Sequence, residues 1–263
     1  MPRLPAWLTA RHAQSSEDVA FLSGAALSHL QLVLGWDDVP QALLRNRMAL
    51  RDAVHLLRPG DLSGPAGKTL LSWRKAVERS VSINTLHRAL PEIEAVQIAS
   101  WLDTGQGAPV TRAAKVLETV LTTAPRVEVP APILADAALA QAHKWDHIVP
   151  LLASGLKRAD LRKTGDELWR EFHRAVTASV LETVRMACEL VRKTTRLGAV
   201  APKLRAKGAE VAVEMFLTCD AVAPSALTSL KSDRAARRFC DRLVKLGAVR
   251  EVTGRDTFRL YGV

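Results

Sequence analysis

The sequence predicts a mainly α protein: a multi-helical body followed by a small C-terminal winged helix-turn-helix domain with a two-stranded hairpin. The apolar residues are mostly Ala, Leu and Val, and Ala and Leu are strong helix formers. Apolar positions recur at helical spacing through most of the body. After Lys203 three short helical patterns precede two candidate strands. We therefore predict an all-helical body at residues 1–200 and a winged-helix domain at residues 203–263.

Turn and capping signals divide the first half of the body. Ser15 to Asp18 marks a helix start, and Gly35 and Pro40 end that helix. Further helices are predicted at residues 41–57, 65–81, 91–102 and 110–123. Asp37 and Asp38 are interpreted as caps for the second helix rather than as catalytic groups.

The second half of the body begins after a proline-rich connector at residues 124–132. Helices are predicted at residues 133–143 and 148–156, and Thr164 to Glu167 forms a capping box that opens the longest helix, Asp166 to about Leu197. Residues 21–28 resemble 133–140, and 35–44 resemble 144–153. These matches indicate either a weak internal repeat or chance similarity in an Ala/Leu-rich chain.

The C-terminal pattern places helices at residues 210–219, 224–230 and 232–246. Val249 and Val252 mark a first strand, Phe258 and Leu260 mark a second, and residues 254–256 supply the turn. Three helices and a hairpin in this order are typical of a winged helix.

Charge and cysteine content bound the class of protein. The net charge is +10, and residues 203–263 contain twelve Lys or Arg against seven Asp or Glu, which favours a polyanionic partner. The three cysteines, Cys188, Cys219 and Cys240, form neither a disulfide framework nor a zinc pattern. No signal core and no apolar run of about 18 residues is found, so we expect a cytoplasmic protein without a membrane partner.

The segment GPAGKT, residues 64–69, raises a nucleotide-enzyme alternative. A phosphate-binding loop requires glycine five positions before Gly67, where Leu62 stands, and the preceding residues read as an amphipathic helix rather than a strand. The segment is better explained as a turn and a first helical turn. Lys68 stays a weak candidate for a phosphate contact at a helix N-terminus.

Other chemistry finds little support in the sequence. His143 and His147 have the spacing of a metal-binding pair on a helix, but no third ligand accompanies them at a telling distance. No nucleophile signature is present. We expect no metal, no cofactor, no catalytic residues and no enzyme activity.

The predicted helix at residues 232–246 is the strongest functional signal. Ser232 stands at its N-cap position. Its apolar side consists of Ala236, Phe239, Leu243 and Leu246, and the other side is rich in arginine. In a winged helix this element enters the major groove and the hairpin meets the flanking backbone. The predicted DNA-binding residues are Ser232, Arg234, Arg237, Arg238, Arg242, Lys245, Arg250, Arg255 and Arg259.

Residues 5–30, 50–74 and 233–263 resemble the bacterial domain-of-unknown-function family numbered 1403. The resemblance covers essentially the whole chain and implies a bacterial protein, often carried on plasmids or other mobile elements, with no catalytic residues to transfer. The segment LVKLGAVREVTGR, residues 243–255, is also similar to the winged helix that ends many Fic-type proteins. The Fic motif HxFxxGNGR is absent, so that activity is not implied.

Two functions are expected from these observations. The first is a non-enzymatic accessory or regulatory protein that binds double-stranded DNA through its winged helix. The alternative is a helical protein-interaction module, in which the helical body docks a protein partner and the winged helix only packs or forms a homodimer without binding DNA.

Overall fold

The computed structural model describes residues 5–9, 15–57, 65–124, 129–254 and 257–263. Within these ranges the chain is mainly α, with an antiparallel pair of short strands near the C-terminus, which confirms the predicted class. The elements are α1 (Ser16–Leu34), α2 (Gln41–Leu56), α3 (Pro65–Glu78), α4 (Ile83–Ala89), α5 (Ala95–Asp103), α6 (Pro109–Thr123), α7 (Pro130–His143), α8 (Leu152–Gly155), α9 (Gly165–Val200), α10 (Ala209–Thr218), α11 (Asp233–Lys245), β1 (Arg250–Glu251) and β2 (Tyr261–Gly262).

The chain forms two compact units. The first comprises Met1–Val33 with Arg45–Val184, and the second comprises Leu34–Leu44 with Arg185–Val263. The predicted domains, 1–200 and 203–263, stay a prediction, because compactness does not test independent folding. No helix in the described ranges is both long and apolar enough to cross a membrane.

Helix α7 lies at the centre of the first unit and packs against α6. Its residues from Pro130 to Ala140 are all buried, which explains why it carries Ala and Leu on every side. The helix starts at Pro130, three residues before the predicted start at Ile133. Pro130 and Pro132 lie in the first turn of α7, where a proline costs no helical hydrogen bond. These two prolines therefore begin the helix and do not belong to a connector.

Other predicted boundaries in the first unit also differ from the structure. Helix α4, capped by Ser82, was not predicted, because its seven residues are too short to show a clear period. The helix predicted at 148–156 is reduced to the single turn of α8. Helix α9 is longer than predicted, with 36 residues, because the helix continues through Gly198.

The second unit ends in helices and a small hairpin. Helix α10 and a 3-10 turn at Pro224–Ala226 precede α11, and β1 pairs with β2 so that Arg250 faces Gly262. Each strand has two residues. Phe258 was predicted to occupy an apolar strand position, and this is wrong: it has a positive φ of 57° and is 90% exposed in the loop before β2.

Candidate nucleic-acid interface

Helix α11 begins at a side-chain cap. Ser232 has an extended backbone, and its hydroxyl oxygen accepts a 3.2 Å hydrogen bond from the backbone N–H of Ala235. This bond satisfies one of the amides that the first turn of a helix leaves without a partner. The structure therefore gives Ser232 a structural role at the start of the helix.

One side of α11 is anchored in the core of the second unit. Ala236, Phe239, Cys240 and Leu243 are buried, and burial raises the pKa of the Cys240 thiol to about 12. The opposite side is exposed and basic, as the sequence predicted. A helix with these two faces presents its charges to solvent in a defined direction.

The structure places all the predicted DNA-binding residues that it describes on the surface. Exposed positions on α11 and at its cap are Ser232, Arg234, Arg237, Arg238, Arg242 and Lys245. Arg250 on β1 and Arg259 before β2 are exposed as well. Arg255, predicted at the tip of the hairpin, lies outside the described residues.

The exposed arginines of α11 differ in their local charge balance. Arg237 forms a 3.1 Å ion pair with Asp233, one turn earlier on the helix. Across the described ranges, no carboxylate lies within ion-pair distance of Arg238 or Arg242. In the hairpin, Arg259 lies 3.8 Å from Glu251. Arg237 and Arg259 are thus partly neutralised by neighbouring residues.

A groove runs along one flank of α11. Its volume is about 330 Å³. Its walls are Lys203, Leu204, Arg205 and Ala206 on one side and Ala235, Arg238, Phe239 and Arg242 on the other. We call it the basic groove, since the described residues of its lining include four cationic side chains and no carboxylate.

The basic groove contains two residues that the sequence analysis missed. Lys203 and Arg205 lie just before α10 and are exposed. Their only sequence signal was the short basic run from Lys203 to Lys207. Nothing in that run indicates that it faces α11, about 30 residues later in the chain.

A second cleft, with a volume of about 670 Å³, lies along the other flank of α11. Its lining includes Asp233, Arg237 and Asp241 from the helix together with Arg259 and Tyr261 from the hairpin. We call it the mixed-charge cleft, because two carboxylates and two guanidinium groups are among its described lining residues. Such a balanced surface attracts a polyanion less than the basic groove does.

The C-terminal end of α11 is held by another arginine of the second unit. Arg196 of α9 donates a 3.4 Å hydrogen bond from Nη2 to the backbone carbonyl of Leu246. Cationic groups are favourable at a helix C-terminus, where carbonyl groups lack partners. Gly247 has a φ of 62°, and a Cβ at this position would lie 2.5 Å from Arg196 Nη2. Glycine therefore leaves room for the arginine to reach the Leu246 carbonyl.

The first unit contains a buried carboxylate pair that sequence reasoning missed. Asp136 of α7 and Asp52 of α2 are both fully buried. Asp136 Oδ2 accepts a 3.1 Å hydrogen bond from the N–H of Leu151, and Arg51 forms a 2.9 Å ion pair with Asp52. Burial, followed by the charge of Asp52, raises the pKa of Asp136 well above its ordinary value.

The remaining candidates from the sequence do not converge on one site. Lys68 is exposed in the first turn of α3, and the preceding element, α2, is a helix and not a strand. Helix α7 ends at His143, so His147 lies beyond it and the two imidazoles do not share a helical face. The described residues contain no group of three or more side chains that could hold a metal ion.

Comparison with known proteins supports the resemblance seen in the sequence. Curated proteins contain no match to this chain. The family described as "Protein of unknown function (DUF1403)" matches residues 1–263, which confirms the family that residues 5–30, 50–74 and 233–263 indicated. The similarity to the winged helix of Fic-type proteins stays a prediction. From end to end, the chain belongs to the DUF1403 family.

Proposed function

We propose that this protein binds double-stranded DNA through its C-terminal unit and acts as a non-enzymatic accessory or regulatory protein of a bacterial system. The proposal is supported by the two faces of α11: a buried apolar side, and an exposed side on which Arg238 and Arg242 have no carboxylate within ion-pair distance in the described ranges. The hairpin β1–β2 follows this helix directly, in the order typical of a winged helix.

The dimensions and charges of α11 fit this role. The major groove of B-DNA admits an α-helix, and arginine is the side chain that most often contacts guanine edges and phosphates there. In this arrangement Arg234, Arg238 and Arg242 contact the duplex from the helix. Arg250 contacts the flanking backbone from the hairpin, and Arg255 is expected to join it. Arg237 and Arg259, which the sequence pattern also suggested, are left out of the proposed interface because Asp233 and Glu251 partly neutralise them.

Fluorescence anisotropy of a labelled mixed-sequence duplex tests the proposal across a salt series. We expect the parent to bind with affinity that falls steeply with salt, and the double variant Arg238→Ala/Arg242→Ala to lose about tenfold or more in affinity. The salt slope should fall by about 0.9 for each phosphate contact removed.

The control is Lys115→Ala/Arg174→Ala, which removes the same charge from exposed positions of the first unit. This control should bind as the parent does if the C-terminal unit holds the site. Equal affinity of the parent and the Arg238→Ala/Arg242→Ala variant would overturn the proposal. A truncated chain ending near Ala201 that keeps full affinity would assign DNA binding to the helical body instead.

A protein-interaction module is the second candidate, and an aromatic pair in the first unit favours it. Trp7 and Phe21 stack with their ring centroids 5.6 Å apart, and they are 49% and 66% exposed. Exposed stacked aromatics are typical of protein interfaces. This function predicts a discrete oligomer or a co-purifying partner and no duplex binding at about 150 mM salt. A strictly monomeric protein that co-purifies with nucleic acid would contradict it.

A further inference from the structure

We propose that the basic groove binds phosphate groups, and that the mixed-charge cleft on the other flank of α11 does not. This inference rests on the proposed DNA binding and deepens it, because it states which flank of the helix meets the backbone. It also adds Lys203 and Arg205 to the residues that contact the ligand. The expected source of the phosphates is a polynucleotide backbone, and a free phosphorylated compound is the other source of the same chemistry.

The basic groove concentrates positive charge. Lys203, Arg205, Arg238 and Arg242 line it, and all four are exposed. Throughout the described ranges, none of these four cations has an ion-pair partner. Four like charges around a concavity of about 330 Å³ repel one another, and an anion in the groove relieves that repulsion.

The cationic hydrogen-bond donors of the groove come from both of its walls. Arg238 and Arg242 are one turn apart on α11 and therefore share a side of the helix. Lys203 and Arg205 belong to the opposite wall. A group between the walls meets two cations from each, and the guanidinium groups offer paired N–H donors that match phosphate oxygens.

Apolar side chains also line the groove. Leu204 and Phe239 are buried and contribute apolar surface between the cationic side chains. Apolar surface next to a charged site lowers the local dielectric constant, which strengthens the attraction between guanidinium and phosphate. The groove is thus suited to a phosphate with its attached sugar, whose carbon atoms can rest on this surface.

The mixed-charge cleft differs from the basic groove in its balance of charges. Asp233 neutralises Arg237 at 3.1 Å, and Asp241 adds a second carboxylate to the lining. Arg259 of the same cleft has Glu251 at 3.8 Å. A phosphate entering this cleft would meet two aspartates, and repulsion between anions opposes its binding.

The test compares two double variants of the full chain with the same change in charge. Lys203→Gln/Arg205→Gln removes two cations from the groove wall that lies outside α11. Arg237→Gln/Arg259→Gln removes two cations from the mixed-charge cleft. All four side chains are exposed, so both variants should fold, and circular dichroism with a melting curve checks this.

Duplex binding is measured by anisotropy at several salt concentrations. We expect the groove variant to bind about tenfold more weakly or worse, with a salt slope lower by about 1.8, which corresponds to two lost phosphate contacts. The control variant should keep the salt slope of the parent. A groove variant that binds as the parent does, or a control that loses as much, would overturn the groove assignment and leave the proposed DNA binding intact.

Calorimetry with inorganic pyrophosphate identifies the source of the phosphate. If the parent binds duplex and pyrophosphate competes only weakly, the polynucleotide backbone is the ligand. If the parent binds no duplex at low salt but binds pyrophosphate through Lys203 and Arg205, the proposed DNA binding fails and the groove is a site for a free phosphorylated compound. If neither ligand binds, both proposals are wrong.

Discussion

The hydroxyl of Ser229 donates a 3.0 Å hydrogen bond to the backbone carbonyl of Gly208, which joins the start of α10 to the segment before α11. The close approach depends on glycine. Gly208 has a φ of 84°, and a Cβ at this position would lie 2.1 Å from the carbonyl oxygen of Ser229. This contact ties the segment that carries Lys203 and Arg205 to the segment that leads into α11.

Gly208→Ala should therefore destabilise the protein. The alanine Cβ would clash with backbone atoms, and the alanine backbone would have to adopt the left-handed conformation that glycine adopts here. We therefore expect a loss of about 2 kcal/mol or more in the free energy of unfolding. Urea denaturation measures this change. The matched control is Gly198→Ala in α9, where a Cβ meets nothing within 4 Å. The control should gain up to about 1 kcal/mol, as expected for Gly to Ala in a helix.

Ser232→Ala should weaken α11 without removing a charge. The variant loses the hydrogen bond from the Ala235 N–H to Ser232 Oγ, and loss of a serine cap costs about 1 kcal/mol. Thermal unfolding measures the loss. Ser232→Asp supplies another capping oxygen and should keep most of the parent stability. If Ser232→Ala and Ser232→Asp were equally destabilised, the cap would not explain the effect.

Asp136→Asn should raise stability at neutral pH. Burial, then the charge of Asp52, raises the pKa of Asp136, while the N–H groups of Leu151 and Leu152 act in the opposite direction. The folded protein therefore keeps a proton that the unfolded chain releases. The stability that this proton contributes is fully present below the unfolded pKa near 3.8 and is lost as pH rises through the raised folded pKa.

Urea denaturation over a pH series that starts near the unfolded pKa of 3.8 and extends through neutral pH measures this dependence. The parent should lose stability as pH rises through the folded pKa of Asp136. Asp136→Asn should show a flatter profile, because the asparagine carries no charge and its oxygen can still accept the Leu151 N–H. Asp103→Asn removes a charge from an exposed position and should leave the profile unchanged. The prediction would be contradicted if Asp136→Asn were less stable than the parent by the same amount at every pH.

Cys240 should resist thiol reagents in the native protein. Its side chain is fully buried, and burial raises its pKa to about 12, so very little thiolate forms at pH 8. Cys188 and Cys219 are partly exposed. We expect a chromogenic disulfide reagent to modify these two cysteines first and to reach Cys240 only after denaturant is added. Mass spectrometry of the labelled peptides identifies each site, and rapid native labelling of Cys240 would show that the packing around α11 opens.

Local features of the chain were predictable because they depend on residues close together in sequence. Capping, proline position and helical spacing act within one or two turns. The Ser232 cap, the two faces of α11 and the ends of α1 and α2 follow from such patterns and agree with the structure. Short elements were harder to predict, because α4 and α8 contain too few residues to show a period.

The hairpin shows where alternation misleads. Phe258 and Leu260 alternate as strand residues do, yet only Tyr261 and Gly262 form β2, and Phe258 is exposed. The pairing is decided by contacts from elsewhere in the unit, since Val222 also forms a β-bridge with Tyr261. A partner more than 30 residues away leaves no local sign in the strand itself.

The mainly α class and the capped basic helix near the end of the chain can both be predicted from the amino-acid sequence alone. Which charged groups lie close together depends on the packing of the folded chain. It places Arg238 and Arg242 in one groove with Lys203 and Arg205, and it buries Asp136 close enough to Asp52 for their charges to interact. The reason is physical: helix formation is governed by neighbouring residues, whereas these groups are brought together by the packing of distant segments, which depends on the whole chain.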